Sequence, residues 1–232
     1  MQLFSIHSDQ TVLCDTSLCL AEVRRLDAHS LVAASPALAE SVLCVLDGEL
    51  EVEVEGGDGA DAPCVLGQME GVQIPAGQNW RGQVGATGAK VLRVDSFHPH
   101  FDPAQRLMPG LTQPHRFAVA DGQMLVYTDY LRGGVLHFRP GFAADKHFHQ
   151  GADELFWFFQ GECRVETPDG VVLAPAGTVI YTEPGEWHII ENPGPEPLLM
   201  FVTVTPNLVP SHTFFDADGN PLVRSWEPLR GR

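Results

Sequence analysis

Four potential metal ligands occur at defined spacings in the second half of the chain. His147 and His149 are separated by one residue, Glu154 follows after four more, and His188 comes after a later Pro-Gly turn. Because side chains alternate along a strand, the two neighbouring histidines point to the same side. The small and polar residues 150–153 suit a turn, after which Glu154 would open an adjacent strand and face both imidazoles. The pattern therefore predicts one divalent metal ion held by three histidines and one glutamate.

This set of ligands supports several kinds of chemistry. Three imidazoles and one carboxylate suit Fe, Mn, Ni, Cu or Zn, and four protein ligands leave positions open for a substrate. Such a metal can act as a Lewis acid, stabilise an enolate or activate water. Glu154 is also the catalytic candidate, because a carboxylate at this place can act as a base towards a substrate hydroxyl. The expected partner is a small-molecule substrate.

Four aromatic residues are candidates for the wall of a substrate pocket. By alternation, Phe156 and Phe158 share the Glu154 face of their predicted strand. Tyr181 and Trp187 lie on either side of the turn before the last histidine. Ordinary packing in the core is the alternative for each of the four.

The elements that must position these side chains are short strands. Runs of β-branched and aromatic residues alternate with Gly, Pro and Asp turns, which is typical of a sandwich or barrel. Helical periodicity is weak, and only Ser17–Leu26 and Ser35–Ser41 could hold a turn or two of helix. We therefore predict an all-β fold.

An internal repeat indicates two copies of one β unit. Asp47–Glu53 resembles Gln160–Glu166, and Gly77–Trp80 matches Gly185–His188. We place the first domain at residues 1–105 and the second at 106–232, joined by the Pro-rich stretch 98–114. The two copies predict either a monomeric pseudo-dimer or subunits that form a homodimer.

The first copy lacks the ligand set. An ungapped alignment on the repeated glycines puts other residues at the four ligand positions, namely Ala34, Pro36, Ser41 and Trp80. A shift of one residue would bring only Glu40 into the glutamate position. We interpret this copy as a structural barrel without a metal.

The remaining histidines and cysteines have no comparable pattern. His212 has no partner at a ligand spacing, so we expect a surface or structural role for it. The five cysteines are scattered and include no Cys-x-x-Cys pair, which favours reduced thiols in the cytosol. The first residues lack a basic segment followed by a long apolar stretch, so we expect a cytoplasmic protein.

Charge and hydropathy exclude two classes of partner. The formal net charge is −16, with 30 acidic residues against 14 basic ones and no basic cluster. Nucleic acids and anionic membrane surfaces require neutralisation by Lys and Arg, so neither is an expected partner. No apolar run reaches the roughly 18 to 20 residues that a membrane span needs.

The spacing of the second half resembles the cupin superfamily. Its first motif, G-x5-H-x-H-x3,4-E-x6-G, fits Gly141 to Gly161 at every position. Its second motif, G-x5-P-x-G-x2-H-x3-N, is matched at its glycines, histidine and asparagine, whereas the proline sits one place late. The positions matched in the second motif are Gly177, Gly185, His188 and Asn192. The first half resembles the family loosely, so the pair looks like a bicupin.

The resemblance implies a fold and a range of activities. It implies two tandem jelly-roll barrels, with metal ligands at His147, His149, Glu154 and His188. Similar bicupins include quercetin-type dioxygenases, so the first hypothesis is an oxygenase acting on an enolic or aromatic substrate. The second is a non-redox isomerase, decarboxylase, lyase or hydrolase, and the third is a small-molecule-binding barrel without turnover.

Overall fold

The chain is built almost wholly of antiparallel strands. A computed structural model describes residues 1–6, 9–32, 39–55, 63–98, 108 and 110–224. Apart from the short 3-10 helix Val119–Asp121, every regular element of these residues is a strand, which confirms the all-β prediction. No helix of the described residues is long and apolar enough to cross a membrane.

The first half forms one large sheet of eight strands. The strands are β2 (Gln10–Asp15), β3 (Cys19–Leu26), β4 (Leu31–Val32), β5 (Glu40–Glu55), β6 (Cys64–Leu66), β7 (Glu70–Ile74), β8 (Asn79–Ser96) and β9 (His115–Ala118). Their order in the sheet is β2-β3-β8-β5-β7-β9, with β4 paired to β8 and β6 paired to β5. The segment Ser17–Leu26, where sequence allowed a helical turn, contains β3 instead, because its residues 19, 21 and 23 alternate into the core.

The second half consists of three smaller sheets. The strands are β1 (Gln2–Ser5), β10 (Arg132–Phe138), β11 (His147–Phe148), β12 (Asp153–Gln160), β13 (Glu162–Thr167), β14 (Gly170–Pro175), β15 (Thr178–Thr182), β16 (Ile189–Glu191), β17 (Leu198–Thr205), β18 (Thr213–Phe215) and β19 (Pro221–Leu222). The orders of the three sheets are β1-β15-β12-β17-β10, β14-β13-β16 and β11-β18-β19.

The predicted repeat is visible in the backbone. Gly48 and Gly161, aligned in the two copies, both have a left-handed φ, of 83° and 82°. A side chain at Gly48 would lie 2.1 Å from the carbonyl oxygen of Gly88, so glycine is required there for steric reasons as well. Equivalent turns thus redirect the chain in both halves, as two tandem jelly-roll barrels require.

Each barrel has its own core, and a third cluster joins them. Buried residues of β5, β7 and β8 fill the first barrel, and those of β12, β13 and β17 fill the second. The outward faces of the two large sheets meet in an inter-barrel cluster. This cluster includes Val42, Cys44, Leu92 and Val94 of the first half and Leu155, Trp157, Val179, Tyr181 and Phe201 of the second.

Two strands cross from one half to the other. β1 pairs with β15 in the second half, and β9 pairs with β7 in the first. The predicted boundary at residues 105 and 106 lies outside the described residues and stays a prediction. Because of this exchange, neither the large sheet of the first half nor the sheet that contains β15 is formed by one contiguous half of the sequence.

Candidate metal centre

The four predicted ligands come together at one point inside the second barrel. One donor atom from each of His147, His149, Glu154 and His188 lies within 4.8 Å of those of the other three, and all four residues are buried. Glu154 projects from β12, and one backbone bridge joins the two segments that carry His147 and His188. In this bridge the amide of His188 donates to the carbonyl of His147 at 2.9 Å.

Backbone carbonyls orient all three imidazole rings. The Nδ1 of His147 lies 2.7 Å from the carbonyl oxygen of Asp145, and that of His188 lies 3.2 Å from the carbonyl of Glu186. The Nδ1 of His149 contacts the carbonyl of Ser211. A carbonyl can only accept a hydrogen bond, so each neutral ring carries its proton on Nδ1 and has a lone pair on Nε2.

The inward-facing atoms are those that a divalent cation needs. The Oε2 of Glu154 lies 3.2 Å from Nε2 of His149 and 3.1 Å from Nε2 of His188. In the tautomers described above, none of these atoms has a hydrogen to share, which explains why His149 Nε2 and Glu154 Oε2 are buried without a hydrogen-bond partner. Buried acceptors that converge in this way fit a divalent metal.

The protonation states also favour a cation. Burial by itself would raise the pKa of Glu154, but positive charge on the imidazoles of His149 and His188 would hold it well below its usual range, and a bound cation in their place would act in the same direction. Burial, together with the neighbouring imidazoles of His188 and His149, lowers the pKa of His147 well below its ordinary value. An ionised carboxylate and a neutral imidazole are the forms that bind metal.

The centre opens onto a large and mainly apolar cavity. The cavity has a volume of about 600 Å³ and reaches His147 and Glu154 at one end. Its apolar walls come from β10, β12, β16 and β17 and from the segments before β10, before β11 and at β18. The larger apolar residues among them are Met124, Leu136, Phe138, Phe142, Phe156, Ile190, Met200, Val202 and Phe214.

Only one of the four predicted pocket aromatics, Phe156, lines this cavity. Phe158 lies on the expected face of β12, but it is further along the strand and is fully buried in the barrel core. Tyr181 projects from the opposite face of its sheet into the inter-barrel cluster, where its hydroxyl donates to Asp153 at 2.8 Å. Trp187 packs against Lys146, whose Nζ lies 3.7 Å from the ring centroid.

Three polar residues of the cavity were missed by sequence reasoning. The ring of His212 lies 4.9 Å from that of His147 and 4.7 Å from that of His149, so this histidine borders the centre. Arg132 and Arg224 also line the cavity. No spacing pattern could have identified them, because β10 and the C-terminal segment approach the ligands only through the tertiary fold.

The first barrel has no equivalent centre among the residues that the structure describes. The four residues above form the one cluster of potential ligands found within the described ranges. Trp80, aligned with His188, fills the first core, and Ser41 donates to the carboxylate of Asp95 at 2.7 Å. Ala34 and Pro36 lie outside the described residues.

Sequence comparison finds one family match, which lies in the second half. Residues 134–204 match the family model described as "Cupin domain". This segment spans β10 to β17 and includes all four predicted ligands. No curated protein sequence matches the chain. The match supports the relation to the cupin superfamily.

Structural comparison supports the same fold for most of the chain. A cupin 2 conserved barrel domain protein from Leptotrichia buccalis is 13% identical with a TM-score of 0.65, covering 88% of this chain and 89% of its own. The formate complex of oxalate decarboxylase from Lactobacillus farciminis is 14% identical with a TM-score of 0.60, covering 89% and 86%. Oxalate decarboxylase from Bacillus subtilis at pH 4.6 is 13% identical with a TM-score of 0.59, covering 88% and 75%. These similarities concern the fold.

Proposed function

We propose that this chain is a metal-dependent oxygenase, of the dioxygenase type, that acts on a small enolic or aromatic substrate. One observation carries the proposal: a buried set of three imidazoles and one carboxylate opens directly onto an apolar cavity of about 600 Å³. Such a volume lies within the roughly 300–1,000 Å³ typical of small-molecule sites. The walls would bind a flat, apolar substrate and keep water away from the reacting atoms.

The chain's own residues have distinct roles in this proposal. His147, His149, Glu154 and His188 would hold the metal ion. A bound divalent metal would supply Lewis acidity towards a substrate oxygen and, if redox-active, electron transfer to dioxygen. The Glu154 carboxylate could accept the proton of a substrate hydroxyl bound beside it. Phe156, on the same face of β12, would contact the body of the substrate.

Non-redox chemistry at the same site is the second candidate. Oxalate decarboxylases are among the similar folds, and the one from Bacillus subtilis has Mn(II) centres. Decarboxylation would need a carboxylate substrate, which the cavity arginines could bind. Oxalate itself has no apolar surface, so the aromatic walls favour a larger acid. Isomerase, lyase and hydrolase reactions, and ligand binding without turnover, are the remaining alternatives.

The first barrel would then serve as a partner domain for the second barrel, to which it is joined in one chain. Its outer sheet covers the face of β12, β15 and β17 opposite the metal centre. This packing resembles a subunit interface within one chain and supports the monomeric pseudo-dimer as the arrangement.

The test combines metal analysis with oxygen uptake. The purified protein should contain one redox-active divalent metal per chain and should consume O₂ with members of a panel of enols and catechols. Glu154→Gln should lower metal affinity by more than the roughly 10- to 100-fold typical of residues that only support a ligand. Glu162→Gln, on the exposed start of β13, is the matched control and should keep the metal.

Two results would contradict the oxygenase. Turnover of a carboxylic acid under nitrogen, with no O₂ uptake across the panel, would favour the decarboxylase. Ligand binding without any turnover would favour a binding barrel.

A further inference from the structure

The polar side chains of the cavity wall are gathered at the metal end. Besides His147 and Glu154, they are Tyr127, Arg132, Asp145, His212 and Arg224. His212 borders the ligand imidazoles, and Asp145, whose carbonyl orients His147, pairs with Arg224 at 2.7 Å. Arg132 lies in the row of Glu154, because both pair with Val204, and its guanidinium is 5.4 Å from the ring centroid of Tyr127. Polar contacts with a ligand are therefore concentrated beside the metal.

Away from the metal, the wall formed by β10, β12 and β17 is apolar. The next rows of paired, cavity-lining residues after that of Glu154 are, in order, Phe156 with Val202, Leu136 with Met200, and Phe138. Alternation along each strand puts these side chains on one face. Three steps of two residues separate the row of Glu154 from that of Phe138, which is about 20 Å along the sheet. A ligand held at the metal can therefore extend over several apolar rows.

An aromatic pair forms the far end of the cavity. The rings of Phe138 and Phe142 meet edge to face, with centroids 4.5 Å apart and an angle of 68° between their planes. Asn192 holds both residues, because its amide donates to the carbonyl of Phe142 and its side chain donates to that of Phe138, each at 2.9 Å. Asn192 follows His188 by four residues, or about 13 Å of extended chain. Phe142 is 38% exposed although it lines the cavity. The pair therefore offers aromatic surface to a ligand at a distance from the metal.

We propose that the Phe138–Phe142 pair is a distal subsite for the tail of the substrate, and that the substrate is an elongated molecule with an oxygen-donor head and an aromatic tail about two rings long. The head would bind at the polar end of the cavity, and the last ring of the tail would pack against the aromatic pair. A volume of about 600 Å³ suits a ligand of this size. This inference rests on the proposed function of the metal centre and deepens it by naming the substrate class, but it requires no reaction with oxygen.

A series of ligands with one head and growing tails tests the subsite without turnover. Hydroxamates bind divalent metals through two oxygen atoms, so the head is constant in acetohydroxamate, benzohydroxamate and 4-phenylbenzohydroxamate. We would measure the binding of each to the metal-loaded protein by calorimetry. The two-ring ligand should bind about ten- to a hundredfold more tightly than benzohydroxamate, as expected for the burial of one further ring.

Substitutions along the cavity assign this gain to the aromatic pair. Phe142→Ala should lower the affinity for the two-ring ligand about three- to tenfold and leave that for benzohydroxamate unchanged. Phe142→Tyr keeps the ring and should retain the gain. Val202→Phe narrows the cavity between the metal and the pair, so it should weaken the binding of the two-ring ligand but not that of acetohydroxamate.

The matched control is Leu173→Ala, at an exposed position on the outside of the same barrel, which should leave all three affinities unchanged. Metal content and circular dichroism of each variant verify that the centre and the fold persist.

The outcomes separate this inference from the proposed function. If the two-ring ligand binds no more tightly than benzohydroxamate, or if its advantage is undiminished in Phe142→Ala, the subsite is overturned, even if the protein consumes O₂. A metal-loaded protein that binds none of the hydroxamates also overturns it, and a chain that takes up no metal contradicts both proposals. A gain that depends on Phe142 in a protein without O₂ uptake supports the subsite and contradicts the oxygenase.

Discussion

At the scale of single residues, the orientation of the imidazoles has both local and distant causes. His147 and His188 each direct Nδ1 to the carbonyl two residues earlier in the chain, at Asp145 and Glu186. His149 uses Ser211, which lies 62 positions further along the chain. Two rings are therefore oriented within their own segments, whereas the third depends on the C-terminal segment being folded in place. Outer contacts of this kind determine which nitrogen is available to a metal.

A buried carboxyl in the first half predicts that the stability of the fold depends on pH. Burial raises the pKa of Glu40 to about 7, although hydrogen bonds from Gln73 and Thr128 oppose the shift. The unfolded chain releases this proton near the ordinary value of 4.5. Between these two values the folded state holds the proton and the unfolded state does not, so stability falls as pH rises through the window. Glu40→Gln should therefore gain up to about 3 kcal/mol over the wild type between pH 4.5 and about pH 8.

Urea denaturation across this pH range measures the effect. Glu53→Gln, at a surface position paired with Arg81, controls for the loss of one negative charge. A difference between Glu40→Gln and the wild type that is constant or shrinks with rising pH would contradict the prediction.

At the scale of elements, a short C-terminal sheet completes the centre. β18 pairs with β11 so that Phe214 lies opposite His147, and the same segment brings His212 to the cavity. Sequence reasoning assigned His212 a surface or structural role, and its location on the cavity wall corrects the surface alternative. The reason is that a three-residue strand has too few residues to show a periodicity, so its pairing is decided by what it packs against.

Lys146 joins three of the segments that surround the metal centre. It precedes His147, and its Nζ lies 3.7 Å from the ring centroid of Trp187 and 4.7 Å from that of Phe215. Lys146→Met keeps much of the apolar stem but removes the cation. We expect a loss of about 1 kcal/mol, equivalent to a fall of about 2–4 °C in melting temperature.

A double-mutant cycle with Trp187→Leu isolates this contact. The two substitutions should be coupled, because each removes the same cation–aromatic interaction. Lys146→Arg is the conservative control and should retain most of the stability. Strictly additive effects of Lys146→Met and Trp187→Leu would count against the contact.

At the scale of the whole molecule, the two barrels behave as one packed unit. The inter-barrel cluster is as apolar as either core and contains the parallel-stacked rings of Phe117 and Phe201, with centroids 5.5 Å apart. The exchange of β1 and β9 adds backbone pairing between the halves. The metal centre lies on the far side of the shared sheet from this interface.

Trp157 tests whether the halves unfold together. It is buried in the inter-barrel cluster, so Trp157→Ala should cost about 3–5 kcal/mol. We expect calorimetry to show one cooperative transition that moves to lower temperature as a whole. Glu154 and Phe156 point to the other face of β12, so metal content should be unchanged below that transition.

The matched control is Val171→Ala, at an exposed position of β14, which should leave the transition in place. Two separate transitions, of which Trp157→Ala shifts only one, would show that the barrels are thermodynamically independent.

The sequence by itself determined the parts that depend on local spacing. Alternation along strands explains why Glu154 and Phe156 face the cavity while Leu155 and Trp157 face the first barrel. The repeated glycines identified the duplicated turns, because both adopt a left-handed φ that residues with a side chain rarely take. The convergence of four ligands followed from motifs whose spacing matches the turns between their strands.

Only the tertiary structure decided what surrounds the ligands. Tyr181 was a pocket candidate from its position near His188, yet it lies between the barrels because its face of β15 is covered by the first half. Arg132 reaches the cavity through its register with Val204 and Glu154, and Ser211 orients His149 across 62 residues. Pairing partners and covered faces depend on strands that are distant in sequence, so no local pattern encodes them.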